Sequence, residues 1–354
     1  MNKTISVARI RHRREDNRVN RRDLLALPAF LTLVTLDPRT GRAADRIRVG
    51  MLKPNIVTVI YWIAVKTGAF DKNGLDIAEN PFPSGQTAAG IEQLLRGGID
   101  FYLGASGEVA HANSRYLEAG KPVPLALIEG GISSGSFFVL QNSLRGKTLD
   151  ELRGMKLRIG LSNPSSYHLI LFRAFLRERG MTTDNFKWEF LTLGGPEMLP
   201  AMVSHQLDGF MHDALTTTLA QRANAGFVFM SSNRGDMGEN AEHLPGTGVC
   251  GNRDFMQKNS DTTRRFTQAL RDASAAYAAA PKAQMVAIMA EWSRQDPGVI
   301  DDMYGNFDPR VGLTPHAAQI WWDILGSAML ARGEISPKLT LNDVFDLHYV
   351  QQTA

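Results

Sequence analysis

A short pattern is written twice in this chain of 354 residues, and it constrains the fold more than any other feature. I-R-V-G-M-L-K-P at 47–54 parallels L-R-I-G-L-S-N-P at 157–164, with Arg, Gly and Pro at the same offsets. Both open as short alternating apolar runs, which read as β-strands. Gly50 stands 35 residues before Gly85, and Gly160 stands 35 residues before Gly195. A helical stretch follows each second glycine, Ala88–Leu95 and then Met198–Val203. Each unit closes on a similar signature, G-G-I-D-F-Y-L-G at 97–104 and H-Q-L-D-G-F-M-H at 205–212. Asp100 and Asp208 each sit just before the closing apolar strand.

Two α/β units of one plan therefore follow each other. Strand–helix–strand alternation predicts mixed, mainly parallel sheets flanked by helices. In such sheets ligands bind beyond the carboxyl ends of the strands. That rule selects the same loops twice: Lys53–Asn55, Pro83–Gly85 and Ala105–Glu108, then Ser162–His168, Leu193–Pro196 and His212–Thr216. Two units facing one another would form a cleft with matched walls. The tail departs from this plan. Residues 261–280, 282–293 and 314–331 read as helices, punctuated by Pro281, Pro297 and Pro315. Trp321, Trp322 and Leu325 share one apolar face and are assigned to core packing.

Charge has to be split before it informs. Residues 1–44 hold 10 Lys and Arg against 4 Asp and Glu, a net of +6, while the whole chain carries only +3. The remainder is mildly acidic, which argues against a broad nucleic-acid-binding face. The basic start is followed by 13 residues, Leu24–Leu36, too few to span a bilayer, which needs about 20. Small residues follow at Gly41, Ala43 and Ala44. This is the layout of a secretory signal, read over 1–44 and carrying a twin-arginine-like N-R-R-D-L-L at 20–25. The expected mature chain is exported, soluble and without a lipid anchor. The single cysteine, Cys250, excludes an intramolecular disulfide and a multi-Cys zinc site.

The order of segments resembles the periplasmic solute-binding proteins of ABC importers, in the nitrate/sulfonate/taurine group with its thiamine-pyrimidine-precursor relatives. V-G-M-L-K-P, A-V-K-T-G-A-F-D-K-N-G-L-D-I at 64–77, P-F-P-S-G, L-L-R-G-G-I-D-F, G-K-T-L-D-E-L-R-G-M-K-L-R-I-G at 146–160 and N-P-S-S-Y-H carry the resemblance. It covers about residues 46–350. It implies a two-lobed α/β fold of the type II periplasmic-binding-protein class. The expected lobes are 45–133 plus 248–354 and 134–247, with crossings near Phe137–Leu140 and Thr247–Cys250. It also implies a monomer that delivers a small-molecule solute to a membrane permease and its ATPase, with no cofactor and no metal. One segment departs from the group. Many relatives carry Trp-Asp/Glu-Pro-Tyr after the second Asp strand, whereas Met211-His212-Asp213-Ala214-Leu215 stands here.

The cleft chemistry follows from residue type. Asn163-Pro164-Ser165-Ser166 precedes the apolar run Leu169–Leu176, so Ser165, Ser166, Tyr167 and His168 form a helix start. Backbone N–H groups there favour an anion such as a sulfonate or carboxylate. In the first unit Ser84, Gly85, Ser106 and Gly107 offer hydroxyls and close backbone approach. Lys53 offers a cation, and Asn55 an amide. His212 and Asp213 are placed at the second wall. Glu108 and Asp213 would repel an anion, which points to a ligand that also carries donors or positive charge. Two further readings use the same residues. An enzyme on this fold would draw on Ser165, His168, His212 and Asp213, although the Cys-rich signature of the pyrimidine-forming branch is absent. A sensing subunit would use the same cleft with a different partner.

Overall fold

The computed structural model describes residues 44–83, 85–133 and 135–349. The address read over 1–44 therefore lies outside the described residues except for Ala44, and Ser84 lies outside them too. Eleven strands occur among these residues: β1 Asp45–Leu52, β2 Leu75–Phe82, β3 Phe101–Ala105, β4 Leu125–Ser133, β5 Phe137–Gln141, β6 Leu157–Leu161, β7 Trp188–Thr192, β8 Gly209–His212, β9 Gly226–Ser231, β10 Thr247–Asn252 and β11 Asp308–Val311. They form two sheets, ordered β11-β4-β10-β3-β1-β2 and β7-β6-β8-β5-β9.

The duplicated pattern folds as duplicated structure. β1 runs parallel to both β2 and β3, and β6 runs parallel to both β7 and β8. Both sheets are mixed, with antiparallel pairings at least as many as parallel ones among the described strands. β10 is antiparallel to β3 and β4, and β5 is antiparallel to β8 and β9. Apart from the edge strand β11, the two sheets share one strand order, with the reversed strand in the same slot. The chain passes to the second sheet between β4 and β5 and returns between β9 and β10.

The repeated residues have repeated jobs. The Arg48 backbone N–H and Nε donate to Asp100 Oδ2 at 2.8 and 3.2 Å. The Arg158 N–H and Nε donate to Asp208 Oδ2 at the same 2.8 and 3.2 Å. Asp100 N–H returns a bond to Arg48 O, and Asp208 N–H to Arg158 O. Each aspartate thus clamps the first half of its strand, β1 or β6, to the turn before the neighbouring strand. The glycines are equally matched. A Cβ on Gly50 would sit 2.5 Å from Ile99 Cδ1, and one on Gly160 would sit 2.8 Å from Leu207 Cδ1. Ile99 and Leu207 are the residues just before the paired aspartates.

Helix faces follow their spacing. Thr87, Gly90, Ile91 and Leu94 are the buried residues of the Thr87–Leu95 helix, at i, i+3, i+4 and i+7. The Tyr167–Arg177 helix is buried along most of its surface, which accounts for its continuous apolar run. The tail forms helices Ser260–Ala279 and Lys282–Ser293. The stretch expected as one helix over 314–331 is Pro315–Trp321, a π turn Trp322–Gly326, and Ser327–Ala331. Trp321 is fully buried and Trp322 half-buried. Two apolar clusters fill the core, and each draws on both sheets: one holds Tyr102 and Phe138, the other Phe101 and Phe210.

Candidate ligand cleft

Two adjoining cavities open where the carboxyl ends of the two sheets meet. The first, about 70 Å³, is walled by Asn55, Gly85 and Thr87 from the first sheet's loops and by Asn163, Ser166, Tyr167, His168, His212 and Asp213 from the second's. Gly246 and Thr247, on the returning segment, complete it. The second, about 90 Å³, shares Asn55, His212 and Asp213 and adds the apolar surfaces of Pro54, Ile56, Pro196, Leu215 and Leu219. Five of the six loops selected by the strand-end rule contribute to these walls.

The sixth loop, Ala105–Glu108, is withheld by tertiary packing. Ser106 is buried, and its Oγ accepts from Trp321 Nε1 at 2.7 Å and donates to Pro245 O at 3.4 Å. Gly107 backs onto the start of the Tyr167–Arg177 helix: a Cβ there would lie 3.2 Å from Ile170 Cδ1 and 3.3 Å from Ser165 O. Ser106 and Gly107 therefore form part of the seam between the two sheets and stand outside both cavity walls. Lys53 is also diverted. Its Nζ pairs with Glu79 at 3.1 Å and lies over the Trp292 ring at 4.6 Å. Tyr61 and Trp62 pack into the lobe, Tyr61 bonding Glu79 and Trp62 stacking on Trp292.

The helix start that carries Ser166 is built as an N-cap. Ser165 N–H donates to Asn163 Oδ1 at 2.8 Å, and Ser166 Oγ accepts from Leu169 N–H at 3.4 Å. Ser165 itself does not line the cavity. The first-turn N–H groups of Tyr167 and His168 are not consumed by these caps. The Tyr167 hydroxyl is buried and has no hydrogen-bond partner among the described residues. Asn55 caps its own turn, accepting from Val57 N–H at 2.9 Å, while its carbonyl accepts from Trp292 Nε1 at 2.7 Å. Gly85 has φ +87°, a left-handed conformation that suits glycine, and the space around it is open.

His168, His212 and Asp213 form a stacked, bonded group. The two imidazoles stack at 5.5 Å. His168 Nδ1 contacts Ser136 Oγ at 3.0 Å. His212 Nδ1 contacts Thr216 Oγ1 at 2.8 Å and Asp213 Oδ1 at 3.2 Å. Asp213 caps the Ala214–Arg222 helix by accepting from Thr216 N–H at 2.9 Å. Burial alone would raise the Asp213 carboxyl, but His212 and the Thr216 N–H outweigh it and hold the acid below its ordinary range. Burial, aided by His212, pushes the His168 imidazole down to about 3, so it is neutral. Behind the wall, burial pushes the Glu108 carboxyl up to about 7, against its hydrogen bonds to its own backbone and to Asn163. Among the described residues neither cavity wall contains Lys or Arg.

Sequence reasoning passed over Thr87 and Thr247 as wall residues, and reached Ser162 and Asn163 only as members of the Ser162–His168 loop. Asn163 stood inside the N-P-S-S motif, and Thr247 at the expected crossing. Thr87 carried no signal beyond following the P-F-P-S-G turn. The Ser165–His168 pairing of the enzyme reading is not formed through Nδ1: that nitrogen contacts Ser136 Oγ, and Ser165 lies outside the first cavity wall. No group of three or more His, Cys, Asp or Glu among the described residues is placed to hold a metal ion.

Residues 42–292 match the model of the NMT1-like family. No curated protein matches. Among solved structures, the zinc-bound ligand-binding component of an ABC-type import system from Staphylococcus aureus aligns with a TM-score of 0.68 at 14% identity, over 86% of this chain and 97% of its own. The periplasmic aliphatic sulphonate-binding protein SsuA from Escherichia coli aligns at 0.65 and 16%, over 85% and 97%. The periplasmic nitrate-binding protein NrtA from Synechocystis PCC 6803 aligns at 0.67 and 14%, over 86% and 87%. The fold is that of these binding proteins.

Proposed function

The chain belongs to the NMT1-like family, and from that premise we propose that it is the substrate-binding subunit of an ABC importer. It captures a small organic solute in the cleft and presents it to a membrane permease, whose ATPase partner supplies the energy. The observation that carries this reading is the composite cavity: matched loops of two like-ordered sheets supply opposite walls, and the chain links the sheets by two crossings. The proposed lobes are 45–133 with 248–354, and 134–247. A solute that touches both walls favours the closed arrangement by its differential affinity for it. The names of the sulfonate- and nitrate-binding neighbours support solute capture. The protein itself catalyses no reaction. Export to the periplasm fits the N-terminal address, and no described helix is long and apolar enough to cross a membrane.

The test is scattering with ligand. Small-angle scattering of the chain, with and without a small-molecule extract that raises its melting temperature, should show compaction on binding. Tight binding with an unchanged radius of gyration would refute capture by closure. A sensing role would use the same cleft and is separated by solute-uptake assays in a strain lacking the gene.

A further inference from the structure

We propose that the cleft selects an uncharged or cationic solute whose flat head donates hydrogen bonds, such as an amide or amidine, and rejects carboxylates and sulfonates of the same size. The proposal rests on the solute-capture reading and narrows its ligand. Three observations carry it. First, the cavity walls lack Lys and Arg among the described residues, and the cation expected from the sequence, Lys53, is held by Glu79 and two tryptophan faces. Second, the shared wall carries Asp213, only 5% exposed and paired with His212 at 3.2 Å. A second carboxylate, Glu108, touches wall residue Asn163 at 3.5 Å and has one oxygen, Oε2, buried without a partner among the described residues. Third, Tyr167 lines the first cavity, and its hydroxyl is buried without a partner among the described residues.

An anion bound here would lose its water beside a buried carboxylate and find the helix-start N–H groups and the Tyr167 side chain but no counter-charge from Lys or Arg in the described walls. Desolvated charge without a counter-charge is strongly unfavourable. A donor head reverses the balance: its N–H groups reach Asp213 directly, and a carbonyl or ring nitrogen on its other edge takes the helix-start N–H groups or the tyrosine hydroxyl. The second cavity, with Ile56, Leu215 and Leu219, accepts the ring behind the head.

Three probes share one ring and differ in the head: benzamide, benzamidine and benzoate. In thermal shift and calorimetry on the full chain, benzamidine and benzamide should raise the melting temperature at millimolar concentration, and benzoate should leave it unmoved. Asp213→Asn keeps a capping side chain on the helix. It should weaken benzamidine at least tenfold and bring benzoate within a few-fold of benzamide. Tyr167→Phe should weaken benzamide several-fold with the ligand-free melting temperature unchanged. Benzoate binding as well as or better than benzamidine in the wild type overturns the proposal and leaves solute capture standing. Silence from all three probes also overturns it; solute capture falls with it only if the scattering experiment shows no compaction with extract.

Discussion

Glu108 shows how one buried acid ties the cleft to pH. It sits in the first turn of the Gly107–Glu118 helix, behind Asn163, and burial pushes it from 4.5 up to about 7. The folded chain then holds a proton that the unfolded chain releases between those values. Stability is fully present below about pH 4.5, falls as pH climbs through the window, and levels off above 7. Glu108→Gln removes this penalty while keeping an amide for Asn163. Melting at pH 8 should therefore occur higher in the variant than in the wild type, by up to about 3 kcal/mol of stability, with the gap closing at pH 5. An equal gap at both pH values would show that Glu108 titrates normally. At this scale the sequence was a partial guide. Asn163, Ser166, His212 and Asp213 were legible because caps and strand ends are local. The fates of Ser106 and Lys53 were not, because Trp321, Trp292 and Glu79 reach them from distant parts of the chain.

At the scale of elements, the paired Arg–Asp clamps give an internal comparison. Asp100 has a side chain 6% exposed, and Asp208 one 24% exposed, yet both accept the same two bonds. Removal of a carboxylate leaves the facing arginine N–H groups unpaired, and the loss grows with burial. Asp100→Ala should cost about 3 kcal/mol and Asp208→Ala about half that, measured by urea unfolding. Equal losses would mean that exposure does not govern the clamp. Neither substitution should alter ligand specificity, because both aspartates lie outside the cavity walls. The duplication was readable because Arg, Gly and Asp are each hard to replace in this arrangement. The exchange of β5 and β10 at the crossings was expected from the family resemblance alone, since an apolar strand carries no mark of which sheet will accept it.

At the scale of the whole molecule, two ion pairs among the described residues bridge elements that belong to different proposed lobes. Arg222 on the Ala214–Arg222 helix meets Asp302 on the Pro297–Met303 helix at 2.6 Å, with both side chains about half exposed. Arg173 meets Glu334 at 2.7 Å, where both are more buried and Arg332 shares the carboxylate. Opening of the cleft must break the bond on the side that parts. The exposed pair is the cheaper one to break, worth about 0.5 kcal/mol in stability. Asp302→Ala should leave the melting temperature nearly unchanged, enlarge the ligand-free radius of gyration, and weaken solute binding about threefold. Arg173→Ala should instead lower the melting temperature and leave the radius unaltered. The reverse pattern would place the hinge on the other side.

The strand exchange has a consequence for synthesis. β10 fills the slot between β3 and β4, yet it leaves the ribosome only after every strand of the second sheet. Until then the nascent first sheet presents two unpaired edges facing an empty channel. Such edges recruit foreign strands. A chain truncated anywhere before Thr247 is thus no half-protein but a pair of adhesive borders, and the growing polypeptide needs shelter from its neighbours until its last central strand arrives.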